Sequence, residues 1–296
     1  MLIEINNINK SYANHQALKN VSINIPKQSI FGLLGPNGAG KTSLIRILTQ
    51  ITQADSGSIK FNGENLQEKH IYEMGYLPEE RGLYKKMQIG EQLLYFAELK
   101  GLKSSEAKKT VKYWVDKFEI KDWLNKKVEE LSKGMQQKVQ FIATVLHQPK
   151  LIILDEPFSG FDPKNAQLLV DEILNLRANG STIIFSTHRM DTVEKLCDDI
   201  AMINKSEVVL SGNKNDIKKQ FSNDEFVLNF NGSLQESSHY KIVNSTENEA
   251  TINILSNKKE VIALLNNQIE LISFMPKIAS MEDVFIKMLN EKKPNC

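Results

Sequence analysis

Cysteine is nearly absent from this sequence: 296 residues hold two, Cys197 and Cys296. Two such thiols make no disulfide framework, and the usage fits a reducing compartment such as the cytosol. No apolar stretch approaches the roughly 18 residues that a membrane-spanning helix needs, so any role at a membrane must come through a partner. The opening Met1-Leu2-Ile3-Glu4-Ile5-Asn6-Asn7 lacks a basic region followed by an apolar run, and no secretory signal is expected. Neither sign of charge is in excess: 37 Lys and Arg face 36 Asp and Glu, a net +1. That balance excludes global steering toward nucleic acid or an acidic membrane surface. Internal repeats and low-complexity tracts are missing too. What remains is 41% hydrophobic and 25% charged residues, enough for ordinary globular cores in about two domains.

Against that background, Gly35-Pro36-Asn37-Gly38-Ala39-Gly40-Lys41-Thr42 fits Gly-x-x-x-x-Gly-Lys-[Ser/Thr], the phosphate-binding loop of nucleotide triphosphatases. Ser29–Leu34 before it is short and apolar, as a buried strand is. After it, Leu44, Ile47, Leu48 and Ile51 recur with the period of a helix that buries one face. Glycines let backbone N–H groups converge on phosphate oxygens, and the helix N-terminus adds partial positive charge. The expected nucleotide contacts are Gly35, Pro36, Asn37, Gly38, Ala39, Gly40, Lys41, Thr42 and Ser43. Lys41 should reach the β- and γ-phosphates of ATP, and the Thr42 hydroxyl should ligate Mg²⁺.

Residues 2–25 alternate apolar and polar, which predicts half-buried antiparallel strands at the edge of the nucleotide-binding sheet. Tyr12, between them, offers a flat surface for a base. Ile59–Gly63 reads as a further strand, and Met74–Tyr84 as a short strand running into a loop marked by Pro78 and Gly82. From Ile89 to about Asn125 the pattern is helical. Nine lysines fall between Lys100 and Lys127, against four acids, with Tyr113, Trp114 and Trp123 nearby. The reading preferred here is a solvated lysine face over an apolar stripe, and no nucleic-acid partner is expected. Ser132 caps a second helix, and Leu151–Leu154 is a continuous apolar run ending in Asp155-Glu156. Thr182–Phe185 repeats that pattern and ends at Ser186-Thr187-His188. Strands alternating with helices imply a parallel sheet whose ligand groups gather at the strands' carboxyl ends. Beyond about Asn213 the pattern changes to Phe226–Phe230, Lys241–Val243 and Thr251–Leu255 as strands, with helices at Val261–Leu265 and at Met281–Lys287 behind a Ser280 cap.

Two acids at the end of an apolar strand can divide two tasks. Asp155 can hold Mg²⁺, and Glu156 can orient and deprotonate the attacking water, with His188 near the γ-phosphate.

The set of motifs resembles the ATP-binding subunits of ABC transporters over roughly residues 2–212. Leu151–Glu156 looks like that family's Walker B strand, Ser159-Gly160-Phe161-Asp162 like its D-loop, and His188 like its switch histidine. Leu131-Ser132-Lys133-Gly134-Met135 stands where the family signature stands, with Lys133 in place of a Gly and Met135 in place of a Gln. Tyr12 falls where the family keeps its adenine-stacking aromatic. The loop after Pro78 carries Glu79 where the family commonly has a Gln that ligates Mg²⁺ and water.

The resemblance implies an α/β fold, a P-loop NTPase of ABC type with an antiparallel β edge. A helical subdomain is expected at about 85–148, and a small α+β domain at 213–296 after an ATP-binding domain at 1–212. It also implies that two copies, or one copy and a homologous ATPase subunit, sandwich ATP. Ser132 and Gly134 of one chain would then face the phosphate loop of the other. The form Leu77-Pro78-Glu79-Glu80-Arg81-Gly82-Leu83-Tyr84 is similar to the sodium-export and multidrug branch. Its partners are separate integral-membrane permeases, which places the ATPase on the cytoplasmic face of the membrane. An ATPase acting on nucleic acid or the ribosome, and a non-hydrolysing clamp, are the competing readings. One cassette without sustained heptads disfavours the first, and Glu156 the second.

Overall fold

The computed structural model describes residues 1–80, 82–222 and 224–290. Arg81 of the quoted loop, Asn223 and residues 291–296 with Cys296 lie outside the described residues. The chain divides into two compact units, Met1–Asn213 and Lys214–Cys296.

The first unit opens with β1 (Ile3–Tyr12) and β2 (His15–Ile25), an antiparallel hairpin that sets Tyr12 opposite His15 at its turn. Ile3, Ile5 and Ile8 of β1 and Leu18, Val21, Ile23 and Ile25 of β2 are buried in one cluster, as the alternation requires. β3 (Ile30–Leu34) feeds the glycine loop, and α1 (Lys41–Leu48) leaves it. Ile51 continues the period but lies past the end of α1 and is exposed. β4 (Ser56–Phe61) and β5 (Glu64–Asn65) extend the hairpin into a sheet ordered β2-β1-β4-β5.

There follow β6 (Met74–Leu77), α2 (Ile89–Leu99), α3 (Ser104–Lys117) and α4 (Lys133–Val145). Next come β7 (Leu151–Asp155), α5 (Pro163–Ala178), β8 (Thr182–Ser186), α6 (Met190–Leu196), β9 (Asp199–Asn204) and β10 (Glu207–Asn213). The central sheet runs β10-β9-β3-β8-β7-β6, with β10 antiparallel to β9 and the other pairs parallel. β3, β7 and β8 are buried along their whole length, which is why they read as unbroken apolar runs. The antiparallel strands β1 and β2 form a layer of their own, since β3 is already paired on both sides by β8 and β9.

In the helical segment, Val111, Trp114, Val115 and Phe118 are buried, and the Trp114 ring meets Phe118 at 5.8 Å and Phe141 of α4 at 6.3 Å. Trp114 therefore faces the core, and the lysine-rich side is the outer one. Lys117 crosses to α5 and pairs with the buried Glu172.

The second unit contains α7 (Lys214–Phe221), β11 (Glu225–Asn231), β12 (Tyr240–Ser245), β13 (Glu249–Ile254), α8 (Lys258–Gln268), β14 (Glu270–Pro276) and α9 (Met281–Asn290). Its antiparallel sheet is ordered β12-β13-β11-β14, and Leu228, Phe230, Tyr240 and Ile252 pack against Val261 and Leu265 of α8. Ser280 and Asp283 satisfy each other's backbone N–H at the start of α9, at 3.0 and 3.1 Å.

One half-buried histidine ties β6 to the segment just after α4. His147 Nε2 lies 3.0 Å from the Met74 carbonyl, which also accepts from Lys100 Nζ at 2.8 Å. A carbonyl can only accept, so Nε2 carries the proton and Nδ1, which has no partner, is bare. Burial, and then the neighbouring Lys100 charge, push the His147 imidazole down to about 4. Its folded value lies below the unfolded one, so the unfolded chain binds the extra proton, and stability is lost as pH falls from about 6.5 toward 4. Denaturant titrations at pH 7 and 4.5 should show the wild type losing about 2–3 kcal/mol more than His147→Gln. Equal losses in the two proteins would show that His147 does not couple to folding.

Candidate nucleotide site

The parallel register brings four strand ends to one edge of the sheet. Leu33 of β3 lies beside Ser186 of β8, Asp155 of β7 beside the same Ser186, and Leu77 of β6 beside Leu154. The segments leaving those ends surround a cavity of about 410 Å³. Asn37, Gly38, Gly40, Lys41, Thr42 and Ser43 line it from the glycine loop. Glu79 enters from the end of β6, Asp155 and Glu156 from β7, and His188 from β8. Tyr12 lines it from the hairpin.

The loop is shaped by glycines that no other residue can replace. Gly40 has φ +117°, and a Cβ there would meet the Ala17 carbonyl oxygen at 2.4 Å. Gly35, at φ +143°, is pressed against the Ile203 carbonyl oxygen, 2.1 Å from where its Cβ would be. Gly35 and Pro36 do not line the cavity; their carbonyls accept from Lys41 Nζ at 2.7 and 3.1 Å. Ala39 is buried beneath the loop. Burial lowers the Lys41 amine from its usual value, while Glu156, Asp155 and Glu79 oppose the shift in that order. Asp155 is only 4% exposed, and burial raises its carboxyl, with the charges of Glu79 and Glu156 adding to the effect.

Glu156 has φ +48°, a conformation costly for any residue with a side chain. Its N–H donates to Ser186 O at 2.9 Å. Its carboxylate is turned onto the end of β8: Oε1 accepts from the His188 N–H at 3.0 Å and meets His188 Nδ1 at 2.7 Å. Oε2 accepts from the Thr187 hydroxyl at 3.1 Å.

Ser132 and Gly134 are not brought to this cavity. Ser132 caps α4, its hydroxyl accepting from Met135 N–H at 3.3 Å, and Gly134 lies under the Gly160 carbonyl. α4 does touch the site's periphery, through Gln137 Nε2 to Pro157 O and Gln140 Nε2 to Pro78 O, both at 3.2 Å. His15 and Ala17 line the cavity and were not singled out from the sequence; Tyr12 standing opposite His15 across a tight hairpin was the available signal.

No group of three or more His, Cys, Asp or Glu side chains that could hold a metal ion occurs among the described residues. A Mg²⁺ ion fits the donors nonetheless. It usually takes one or two carboxylates and completes its shell with water and phosphate oxygens. Thr42, Asp155 and Glu79 offer that set, and a cation would relieve the crowding of negative charge that raises Asp155.

A glycine-formed phosphate cradle with an acid pair one strand removed, across β8, defines a P-loop ATPase. The comparisons narrow the class. Residues 18–159 match the family model described as ABC transporter, and residues 212–289 match the C-terminal domain of ATP-binding protein DrrA1-3-like. The chain is 39% identical to the uncharacterized ABC transporter ATP-binding protein YhaQ of Bacillus subtilis, over 97% of this chain and 98% of that one. It is 29% identical to the linearmycin resistance ATP-binding protein LnrL of the same organism, over 97% and 98%. A solved structure titled as the ATP binding subunit of an ABC transporter superposes with TM-score 0.70 at 29% identity, over 75% of this chain and 93% of that one. The chain belongs to the ABC transporter ATP-binding proteins, and it is the ATP-binding, ATP-hydrolysing subunit of such a transporter.

Gly40→Ala should abolish ATP binding while the chain stays folded, because the added methyl must displace the Ala17 backbone and with it the phosphate loop. Equilibrium binding of a fluorescent ATP analogue, with circular dichroism as the folding check, measures this. Wild-type affinity in the variant would mean that the loop is not held in this shape when nucleotide binds.

Proposed function

We propose that this subunit powers export through a separate membrane-spanning permease, hydrolysing ATP with Mg²⁺ at sites completed by a second ATPase subunit. One observation carries the reading. The loop after β6 has one end in the nucleotide cavity, at Glu79, and the other in an apolar groove of about 430 Å³. Tyr76, Pro78, Leu83, Phe96 and Leu99 line that groove. At each of these ends the loop is gripped by a helix. Gln140 of α4 holds the Pro78 carbonyl, and the buried Gln92 of α2 accepts from the Tyr84 N–H at 2.8 Å. Movement of Glu79 is thus transmitted to a surface suited to an apolar segment of a membrane partner. No helix among the described residues is long and apolar enough to cross a membrane, so the pathway itself would belong to that partner. The resistance named for LnrL supports the outward direction.

In this reading Tyr12 stacks on the base, and Lys41 leaves the Gly35 and Pro36 carbonyls for the β- and γ-phosphates. Thr42, Asp155 and Glu79 hold Mg²⁺, which neutralises charge on the phosphate oxygens when bound. Glu156 takes a proton from the attacking water, and His188 contacts the γ-phosphate side. Ser132 and Gly134, turned away from their own chain's cavity, present the N-terminus of α4 to nucleotide held by the second subunit. The subunit would then sit at the cytoplasmic face of the membrane, docked on the permease.

Three measurements test this reading. Glu156→Gln keeps the shape and loses the base, so it should bind ATP normally and hydrolyse it about 10²–10⁴-fold more slowly. Hydrolysis within about threefold of wild type would remove Glu156 from the base role. Glu79→Gln should move the Mg²⁺ dependence of hydrolysis several-fold to higher concentration; a shift in Glu80→Gln instead would move the ligand by one residue. Affinity purification of the tagged chain from detergent-solubilised membranes should bring down an integral-membrane protein, and the yield should fall in Phe96→Asp. An unchanged yield in that variant would take the groove out of docking.

A further inference from the structure

Resting on the reading of Glu156 as the base, we infer that the buried hydroxyl of Thr187 is the positioning group that fixes which carboxylate oxygen of Glu156 receives the proton. Thr187 is 1% exposed, so its hydroxyl exchanges no partners with bulk water. The hydroxyl has one proton and its partners are fixed. The Arg189 backbone N–H, which can only donate, approaches Thr187 Oγ1 at 3.1 Å and takes its acceptor side. The remaining proton is left for Glu156 Oε2, 3.1 Å away.

The two carboxylate oxygens are then unequal. Oε1 faces two groups of His188, its N–H and Nδ1, and both of its lone-pair directions are occupied. Oε2 faces Thr187 alone and keeps one direction open. A base needs a free lone pair, so Oε2 is the oxygen that acts. Thr187 sets its direction.

The His188 side chain, 66% exposed, lines the nucleotide cavity with Nδ1 kept on Oε1, so it engages Oε1 and leaves the direction of Oε2 to Thr187. Thr187 is held by the core at the end of β8 and stays. The left-handed backbone of Glu156 fits this account. A residue remains at φ +48° only where its surroundings over-determine it, and the Ser186 carbonyl and the Thr187 hydroxyl clamp it from both ends.

The test uses the full-length chain and steady-state ATP hydrolysis. Thr187→Val should lower kcat about tenfold, the worth of one hydrogen bond to a charged group, with KM for ATP unchanged. Thr187→Ser, which keeps the hydroxyl, should restore kcat to within about twofold of wild type. In the Glu156→Gln background, Thr187→Val should change the residual rate by less than about twofold, because the group it orients is gone. Nucleotide affinity reports folding in each variant, and Thr187→Ala carries the same comparison should the valine protein not bind ATP. A wild-type kcat in both Thr187→Val and Thr187→Ala would overturn the inference. So would an equal tenfold loss on adding Thr187→Val to Glu156→Gln, since that loss would not pass through the carboxylate. Near-wild-type hydrolysis by Glu156→Gln itself overturns the base assignment, whatever the Thr187 variants do.

Discussion

The parallel pairing of β7 with β8, and of β8 with β3, is the constraint on which the site depends. Asp155 and Leu33 share Ser186 as a register partner, so a phosphate loop and an acid pair about 115 residues apart in sequence leave the sheet side by side. In the proposed chemistry neither group is useful without the other: the loop would offer N–H groups and Lys41 to the phosphates, and the acids would offer oxygen to a metal and a proton acceptor to water. Burial on both faces of these strands removes the freedom to slip, because a one-residue shift would exchange every side chain between the two packed faces.

Around that fixed edge, the loop that carries Glu79 and the loop that follows the acid pair are attached by few, directional contacts. Glu79 stands on an exposed loop tethered by two buried glutamines, Gln92 and Gln140, one on each of two helices. α4 reaches the acid pair's loop through Gln137 and Pro157. Side-chain amides bridging to backbone carbonyls keep these tethers short without building an apolar seal. The arrangement suits segments that must follow the γ-phosphate rather than rest as core. Thr187, by contrast, is buried with the core at the end of β8.

Much of this was legible in the sequence where the determinants are local. Gly40 and Gly35 are required by their own backbone angles, and the strands β3, β7 and β8 announce themselves because burial on both faces confines polar residues to strand ends, at Asp155, Thr182 and Ser186. The Ser132 cap and the Ser280–Asp283 pair were readable for the same reason, each being settled within four residues. What the sequence did not give is set by contacts between distant segments. That β1 and β2 form a separate layer depends on β8 and β9 occupying both sides of β3. Ile51 keeps the helical period but follows a helix that ends at Leu48, where Thr49 and Gln50 close the last turn. β14 was missed because a register shift opposite Asn229 and Phe230 breaks its alternation. Thr187 was quoted only as part of a motif, since its partner lies 31 residues away and is fixed by an unusual backbone turn at Glu156.

The central claim is that each chain holds half of a hydrolytic site: the phosphate loop and acids at the sheet edge, and the N-terminus of α4 for a neighbour. Mixing two inactive chains tests it most directly. Lys41→Ala removes the phosphate grip and leaves α4 intact, while Ser132→Arg blocks α4 and leaves the phosphate loop intact. A mixed dimer then contains one doubly damaged site and one undamaged site. ATP hydrolysis should be negligible in each variant alone and should reappear when the two are combined, rising with total protein concentration. A mixture as inactive as its components at concentrations where the chains associate, or a Ser132→Arg chain fully active alone, would contradict the account.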